Sequence, residues 1–297
     1  MNTGVRKLSP RALELLDAPD EIRIAHIDND SFIPYPRAAE ILAEMEDLLA
    51  HPKINRMPNL LIVGRSDNGK TEILQEFLKR HPAQDRREMD VVFAPVVYVQ
   101  APPGPNEDMF LNKMLVMLGV ETRRNETPSS KLEQLLEMLR RVQTRVLMID
   151  EVNALLAGSV TKQRFFLNMI KYMSNDLQIS IVPAGTADAQ QAFRSDAQIL
   201  SRFPSRILPR WQQGDDFRKL LFSFEYLLPL RSPSDIHKGE IPSVLFGLSE
   251  GVIGRLSKII RSAAKHAIHT GVERITLDVV KACPFVVRGS SVDAEVI

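Results

Sequence analysis

Apolar residues recur at helical spacing in AAEILAEMEDLLA, between Arg37 and Ala50, and His51-Pro52 closes that segment. The next apolar piece has another texture. NLLIVG, Asn59 to Gly64, is a short unbroken run ended by glycine, and a loop leads from it into a helical segment, Lys70 to Arg80, stopped by His81-Pro82. This strand, loop and helix pattern recurs. VVFAPVVYVQ, Val91 to Gln100, predicts a buried strand whose start is irregular or at an edge, because Pro95 has no N–H for a ladder. Helical spacing follows at Asn106 to Leu118 and Ser130 to Val142; RVLMIDE, Arg145 to Glu151, reads as a buried strand, Thr161 to Asn175 as a helix, and ISIVPAGT, Ile179 to Thr186, as a strand. Apolar strands alternating with helices predict an α/β fold with a parallel sheet covered on both faces.

After Pro209 the alternation stops. Asp215 to Leu228, Ile241 to Leu248, Val252 to His269 and Leu277 to Ala282 all read as helices, which predicts a smaller all-helical lid behind the α/β domain. The expected organisation is an N-terminal extension over 1–36, wrapped on the domain and outside its core, an α/β domain over 37–210, a lid over 211–283 and a tail over 284–297. The tail, PFVVRGSSVDAEVI, is too short and polar for a domain.

Composition narrows the class. The chain has 297 residues, enough for one large core or a core plus a small satellite, and its 44% hydrophobic and 25% charged content excludes disorder as the main state. With 38 Lys+Arg against 37 Asp+Glu the net charge is +1, so binding to a polyanion has to come from a local patch. A single cysteine, Cys283, permits no internal disulfide and no clustered thiolate site, pointing to a reducing compartment. No run approaches the roughly 18 apolar residues of a membrane span, and acidic residues interrupt the N-terminus where a signal peptide needs an apolar segment; no membrane and a cytoplasmic location are expected.

Candidate chemistry begins in the loop after the first strand. Gly64, Arg65, Ser66, Asp67, Asn68, Gly69, Lys70 and Thr71 spell GRSDNGKT, which fits GxxxxGK[ST] between a strand and a helix. A polyphosphate needs converging backbone N–H groups and the positive end of a helix dipole, which a glycine-permissive loop supplies. Lys70 would reach the outer phosphates and the Thr71 hydroxyl would bind Mg²⁺. At the carboxyl end of VLMIDE stand Asp150 and Glu151, two adjacent acids that are costly there unless a cation or solvent meets them. Asp150 suits the Mg²⁺ shell through water, and Glu151 suits the base that orients and deprotonates attacking water. Together the two motifs specify nucleotide hydrolysis.

Other residues carry two readings each. Thr186 ends a strand where it would hold the lytic water or γ-phosphate, and it equally suits the N-cap of a helix starting at Ala187. Arg202, in SRF, is placed to act on a neighbouring subunit's γ-phosphate; Arg206 and Arg194 compete for that role, and a surface arginine without a role is the alternative for each. In the lid, Arg255, Lys258, Arg261 and Lys265 fall on one helical face, either simply solvated or, for Arg255, sensing nucleotide while the others meet phosphates of a polymer.

PYPRAAEIL, RMPNLLIVGRSDNGKT, VLMIDEVNALLAG, PAGTADA and SEGVIG together resemble the TniB/TnsC family of AAA+ ATPases that regulate target choice in DNA transposition, TniB most closely. The resemblance covers most of the chain. It implies a P-loop NTPase (AAA+) fold and an ATP- and Mg²⁺-dependent homo-oligomer, a ring or helical filament on double-stranded DNA. Such an oligomer recruits a DDE transposase and is guided by a TniQ-type target selector in a bacterial cytoplasm. By position it makes Lys70 and Thr71 the Walker A pair, Asp150 and Glu151 the Walker B pair, Thr186 the sensor-1 residue and Arg202 the candidate arginine finger. It also places DNA contacts after the second strand, where Lys113, Thr122, Arg123 and Arg124 are available, with little sequence preference expected; an exposed turn is the other reading of ETRRNET. Two other functions share the ATPase core: a nucleotide-gated protein adaptor that does not use DNA, and a replication-type loader.

Overall fold

The computed structural model describes residues 7–29, 32–86, 91–122 and 126–285. The chain divides into two compact units, one made of the residues up to Tyr35 with those from Pro209 onward, the other Pro36–Leu208. The first unit begins with α1 (Pro10–Glu14) and α2 (Asp20–Asp28). Pro10 stands in the first turn of α1, where a missing N–H costs nothing, and Ser9 Oγ accepts from the Ala12 N–H.

The second unit runs α3 (Pro36–Ala50), β1 (Leu61–Gly64), α4 (Lys70–Arg80), β2 (Gln84–Arg86), β3 (Val91–Phe93), β4 (Val96–Gln100), α5 (Glu107–Met117), α6 (Pro128–Arg141), β5 (Val146–Asp150), α7 (Asn153–Leu156), α8 (Val160–Leu177), β6 (Ser180–Gly185), α9 (Ala187–Arg194), α10 (Ala197–Leu200) and β7 (Ser205–Leu208). Five strands form a sheet in the order β4-β5-β6-β1-β7, each neighbouring pair parallel. Every residue of β1, β5 and β6 is buried, which is why these strands read as unbroken apolar runs. Ile73, Leu74 and Phe77 of α4 and Leu135, Leu136 and Leu139 of α6 are among the side chains that cover the sheet.

Two features differ from the pattern-based expectation. Val91 to Gln100 is not one strand: it breaks before Pro95, β3 pairs antiparallel with β2, and only β4 enters the parallel sheet, at its edge. Pro95 has no N–H to donate, yet its carbonyl accepts from the N–H groups of Arg145 and Val146, so the ladder starts there. The pattern also does not predict β7, whose residues are mostly half-buried or exposed; it lies beside β1 with Leu61 opposite Ser205 and Gly64 opposite Leu208.

The first unit is completed by α11 (Asp215–Leu227), α12 (Ile241–Ser249), α13 (Ile253–His269) and α14 (Leu277–Ala282). Its core joins Phe217 and Leu221 of α11, Leu256 and Ile260 of α13 and Val280 of α14 to Ile27 and Ile33 from the N-terminal segment. The segment expected to lie outside any core therefore contributes to one. Arg23 of α2 has no exposed surface; its guanidinium donates to both carboxylate oxygens of Glu273 (2.7 and 2.8 Å), to Asp20 (2.7 Å) and to the Pro229 carbonyl (3.2 Å). Burying such a pair is costly, and these added hydrogen bonds offset the cost. Gly251 is held at φ +70°, and a Cβ there would stand 2.4 Å from the Trp211 carbonyl oxygen, so only glycine fits.

Gly251→Ala is expected to destabilise the protein by about 2 kcal/mol or more, read as a lower denaturant midpoint at unchanged slope. The hydrogen bond from Arg23 holds the Glu273 carboxyl below its ordinary value of 4.5. A carboxyl lowered on folding contributes its stability above that ordinary value and loses it as pH falls through the lowered one. Melting temperature is thus expected to drop on acidification below about pH 4.5, and Glu273→Gln to flatten that part of the profile. Identical acid profiles for the two proteins would assign the sensitivity to other groups.

Candidate functional site

The phosphate-type loop is built on three backbone constraints. Gly69 sits at φ +86° immediately before α4, and Asp67 adopts φ +58°, a region that Asp tolerates better than most residues. At Gly64 a Cβ would lie 3.2 Å from Leu208 Cβ and 3.5 Å from Lys70 Cγ, so a side chain there would crowd Leu208. Asn68, 3% exposed, donates its Nδ2–H to the Leu208 carbonyl at 2.7 Å, which ties the loop to the end of β7. The Asn68 side chain, grouped from sequence with the phosphate-binding residues, thus serves the scaffold, and the backbone is what this position offers an anion. Arg65, Ser66 and Asp67 are exposed.

Lys70 is buried, and its ammonium donates to the Gly64 and Arg65 carbonyls at 3.1 and 2.9 Å. One residue on, Thr71 Oγ1 donates to Asp150 Oδ2 at 2.7 Å, joining motifs 79 residues apart. Asp150 is 1% exposed; its Oδ1 accepts from the Glu151 N–H (2.9 Å) and its Oδ2 also accepts from the Tyr98 hydroxyl (3.1 Å). Burial, and then the Asp150 charge, push the Tyr98 phenol up to about 12, so it remains a donor at neutral pH. A hydroxyl beside a carboxylate is an all-oxygen donor set of the kind that a hard cation such as Mg²⁺ takes.

Glu151 leaves β5 at φ +52°, a conformation costing on the order of 1 kcal/mol for a non-glycine residue, and its carboxylate accepts no hydrogen bond among the described residues. Thr186 follows β6. It occupies the N-cap position of α9, but its hydroxyl caps no amide there, so the helix does not use the side chain. The sheet places β6 between β1 and β5, with Val63 opposite Gly185 and Ile149 opposite Pro183. Thr186, last of the three in sequence, therefore follows the strand that separates the phosphate loop from the acidic pair.

The three competing arginines separate by their partners. Arg206 is committed to Glu44 through two 2.7 Å hydrogen bonds. Arg202 donates to the neutral Asn175 amide at 2.7 Å; burial, and next the charge of Arg56, lower its pKa. Arg56, which motif reading passes over, donates to the Ser201 hydroxyl at 2.9 Å, and among the described residues neither arginine has a carboxylate partner. Arg194 is exposed at the end of α9 and makes no hydrogen bond or ion pair among the described residues.

Of the remaining candidates, Arg255 pairs with Glu250 and Lys265 with Asp28, so two of the four basic residues on this face of α13 carry a counter-charge within their own unit; Lys258 and Arg261 are engaged as well. Lys113 stands on the exposed face of α5 beside Met109, Val116 and Met117, while Thr122 is half-buried; Arg123 and Arg124 lie outside the described residues. A separate cleft of about 460 Å³, lined by Lys53, Arg140 and Arg145 among others, involves the residues leading into β5, at the end of the sheet opposite the phosphate loop. No described helix is long and apolar enough to cross a membrane.

The fold has relatives among solved structures. The Aeropyrum pernix ORC1 protein in complex with DNA superposes with a TM-score of 0.64 at 16% identity, over 92% of this chain and 69% of that one. Cdc6p from Pyrobaculum aerophilum gives 0.61 at 17%, over 84% and 67%, and the Aeropyrum pernix ORC2 protein, in its ADPNP-ADP complexes, gives 0.59 at 17%, over 88% and 70%. At these identities the likeness establishes the fold, that of the AAA+ P-loop proteins. No curated protein matches. The sequence model described as "Bacterial TniB protein" matches residues 23–213, a span that begins in α2 and takes in the whole α/β unit with the phosphate loop, the acidic pair and Thr186; the chain belongs to the bacterial TniB family.

Proposed function

We propose that this chain is an ATP-dependent, DNA-binding regulator of transposition. It oligomerises on double-stranded DNA when ATP is bound, recruits or activates a DDE transposase at a target marked by a TniQ-type selector, and comes apart on hydrolysis to ADP and phosphate. The observation that carries the reading is the Thr71–Asp150 hydrogen bond, which brings the two halves of a nucleotide site together in a chain of the TniB family. Thr71 through its hydroxyl and Asp150 through water would hold Mg²⁺, which supplies charge neutralisation at the phosphate oxygens. Lys70, whose ammonium rests on the Gly64 and Arg65 carbonyls, is the side chain that would turn to the outer phosphates, and Glu151, its carboxylate uncommitted among the described residues, would be the base for attacking water.

ATP serves as the adhesive between subunits because a cationic side chain of one subunit gains its counter-charge only when its neighbour holds a γ-phosphate. Arg202 fits that role: among the described residues it is a guanidinium with an amide but no carboxylate partner, next to a second arginine. Arg206 does not, since Glu44 already neutralises it. DNA contact through backbone phosphates gives little sequence preference and steep salt dependence. A replication-type loader is the second reading, favoured by the ORC and Cdc6 likeness; it shares the nucleotide chemistry and differs in its client.

Lys70→Ala is expected to weaken nucleotide binding at least about tenfold and to abolish nucleotide-dependent assembly on duplex DNA, seen by electron microscopy and sedimentation. Glu151→Gln should assemble normally but hydrolyse ATP about 100-fold more slowly or worse; hydrolysis at the wild-type rate would remove Glu151 as the base. Arg202→Ala should leave nucleotide affinity of the isolated subunit intact while assembly-stimulated hydrolysis falls about a thousandfold. The same loss in Arg194→Ala, with Arg202→Ala silent, would transfer the role. Transposase capture on ATP-loaded DNA complexes, compared with capture of a replicative helicase, separates the two clients.

A further inference from the structure

Asp150 carries more hydrogen bonds than its motif role requires. Its Oδ2 accepts from both Thr71 and Tyr98, at 2.7 and 3.1 Å, and its Oδ1 accepts from the Glu151 N–H at 2.9 Å. Tyr98 stands in β4, directly beside β5, where Tyr98 is opposite Met148 and Gln100 opposite Asp150. Its neighbours Val97 and Val99 are buried in the core, so the alternation of the strand turns Tyr98 toward the other face. Gln75 of α4, one turn beyond Thr71, is the polar side chain that faces the same phenol from the helix. The Asp150 carboxylate thus joins Tyr98 of β4 to Thr71 of α4 through two hydrogen bonds.

We propose that Tyr98 is a positioning residue for the divalent-cation site: its hydroxyl locks Asp150 Oδ2, leaving the second acceptor direction of Oδ1 for a water bound to Mg²⁺. The proposal rests on the nucleotide-binding reading above. Thr71 would itself turn its hydroxyl oxygen to the cation, whereas Tyr98, held on β4, would stay on the carboxylate when the site fills. Partners that orient a metal-binding carboxylate typically change metal affinity by about 10–100-fold when removed. A phenylalanine at 98 would fill the same volume and remove only the donor.

The test is equilibrium binding of a fluorescent ADP analogue to the full chain, first in EDTA and then against rising Mg²⁺, for wild type, Tyr98→Phe and Thr71→Val. Tyr98→Phe is expected to match wild type in EDTA and to melt only modestly lower for the lost hydrogen bond, but to need about tenfold more Mg²⁺ to reach full affinity. An unchanged Mg²⁺ requirement overturns the proposal. An equal loss of binding in EDTA also overturns it, since that outcome assigns Tyr98 to the architecture of the nucleotide pocket and not to the cation. If wild type itself shows no nucleotide binding, the underlying reading fails and takes the proposal with it. If wild type binds with a Mg²⁺ requirement that Thr71→Val raises and Tyr98→Phe leaves alone, the reading stands and only the proposal falls.

Discussion

The contact between Thr71 and Asp150 is the constraint on which the rest of the α/β unit depends. The strands that carry them, β1 and β5, are not neighbours, so the contact forms only if β6 lies between them in the correct parallel register. A hydrogen bond to a charged group is worth about 1.5–3 kcal/mol, and a buried carboxylate left without partners costs at least as much. Asp150 is buried and hydrogen-bonded through both carboxylate oxygens, which penalises any slip of β5 against β6 or of the loop against β1. The apolar strands set the layers, and this polar junction selects one register among them. Asn68, reaching from the same loop to the end of β7, extends the restraint to the other side of β1.

The distribution of satisfied and unsatisfied charge separates scaffold from chemistry. Arg23, Arg206 and Lys131 each meet a carboxylate at 2.7 Å or less and hold elements together. Among the described residues Arg202 and Arg56 meet only neutral groups, and the Glu151 carboxylate meets none, on a backbone in the left-handed region. Charge without a counter-charge and backbone away from its minimum are disfavoured in an isolated subunit, and they are rational where a ligand completes the arrangement. Thr186 belongs with them: a helix N-cap position would normally employ its hydroxyl, and here it does not.

The helical unit follows a different logic. Its core is assembled from both ends of the chain, with Ile27 and Ile33 packed among side chains of α11, α13 and α14. The buried Arg23–Glu273 pair then fixes which face of α2 turns inward, because a misplaced α2 would strand an uncompensated charge. Glu225 plays a similar part, accepting from the backbone N–H groups of Ser234, Asp235 and Ile236 and so shaping the loop before α12.

What the amino-acid sequence determined by itself was whatever local physics encodes. Periodicity showed the main helices and the three central strands, because strands buried on both faces must be apolar throughout; glycine spacing showed the phosphate loop, because only glycine takes φ +86° freely at the helix start. The adjacent acids after VLMI stood out because charge at the end of a buried strand needs a reason. Tertiary structure decided what depends on partners distant in sequence. Strand β7 was illegible since an edge strand is only half-buried, the helices before Tyr35 since their apolar partners lie more than 180 residues away, and the break before Pro95 since it depends on which strand Pro95 meets. Tyr98, Arg56 and the separation of Arg202 from Arg206 are invisible in the linear pattern for the same reason: the role of each polar side chain follows from the group it faces, and the fold chooses that group.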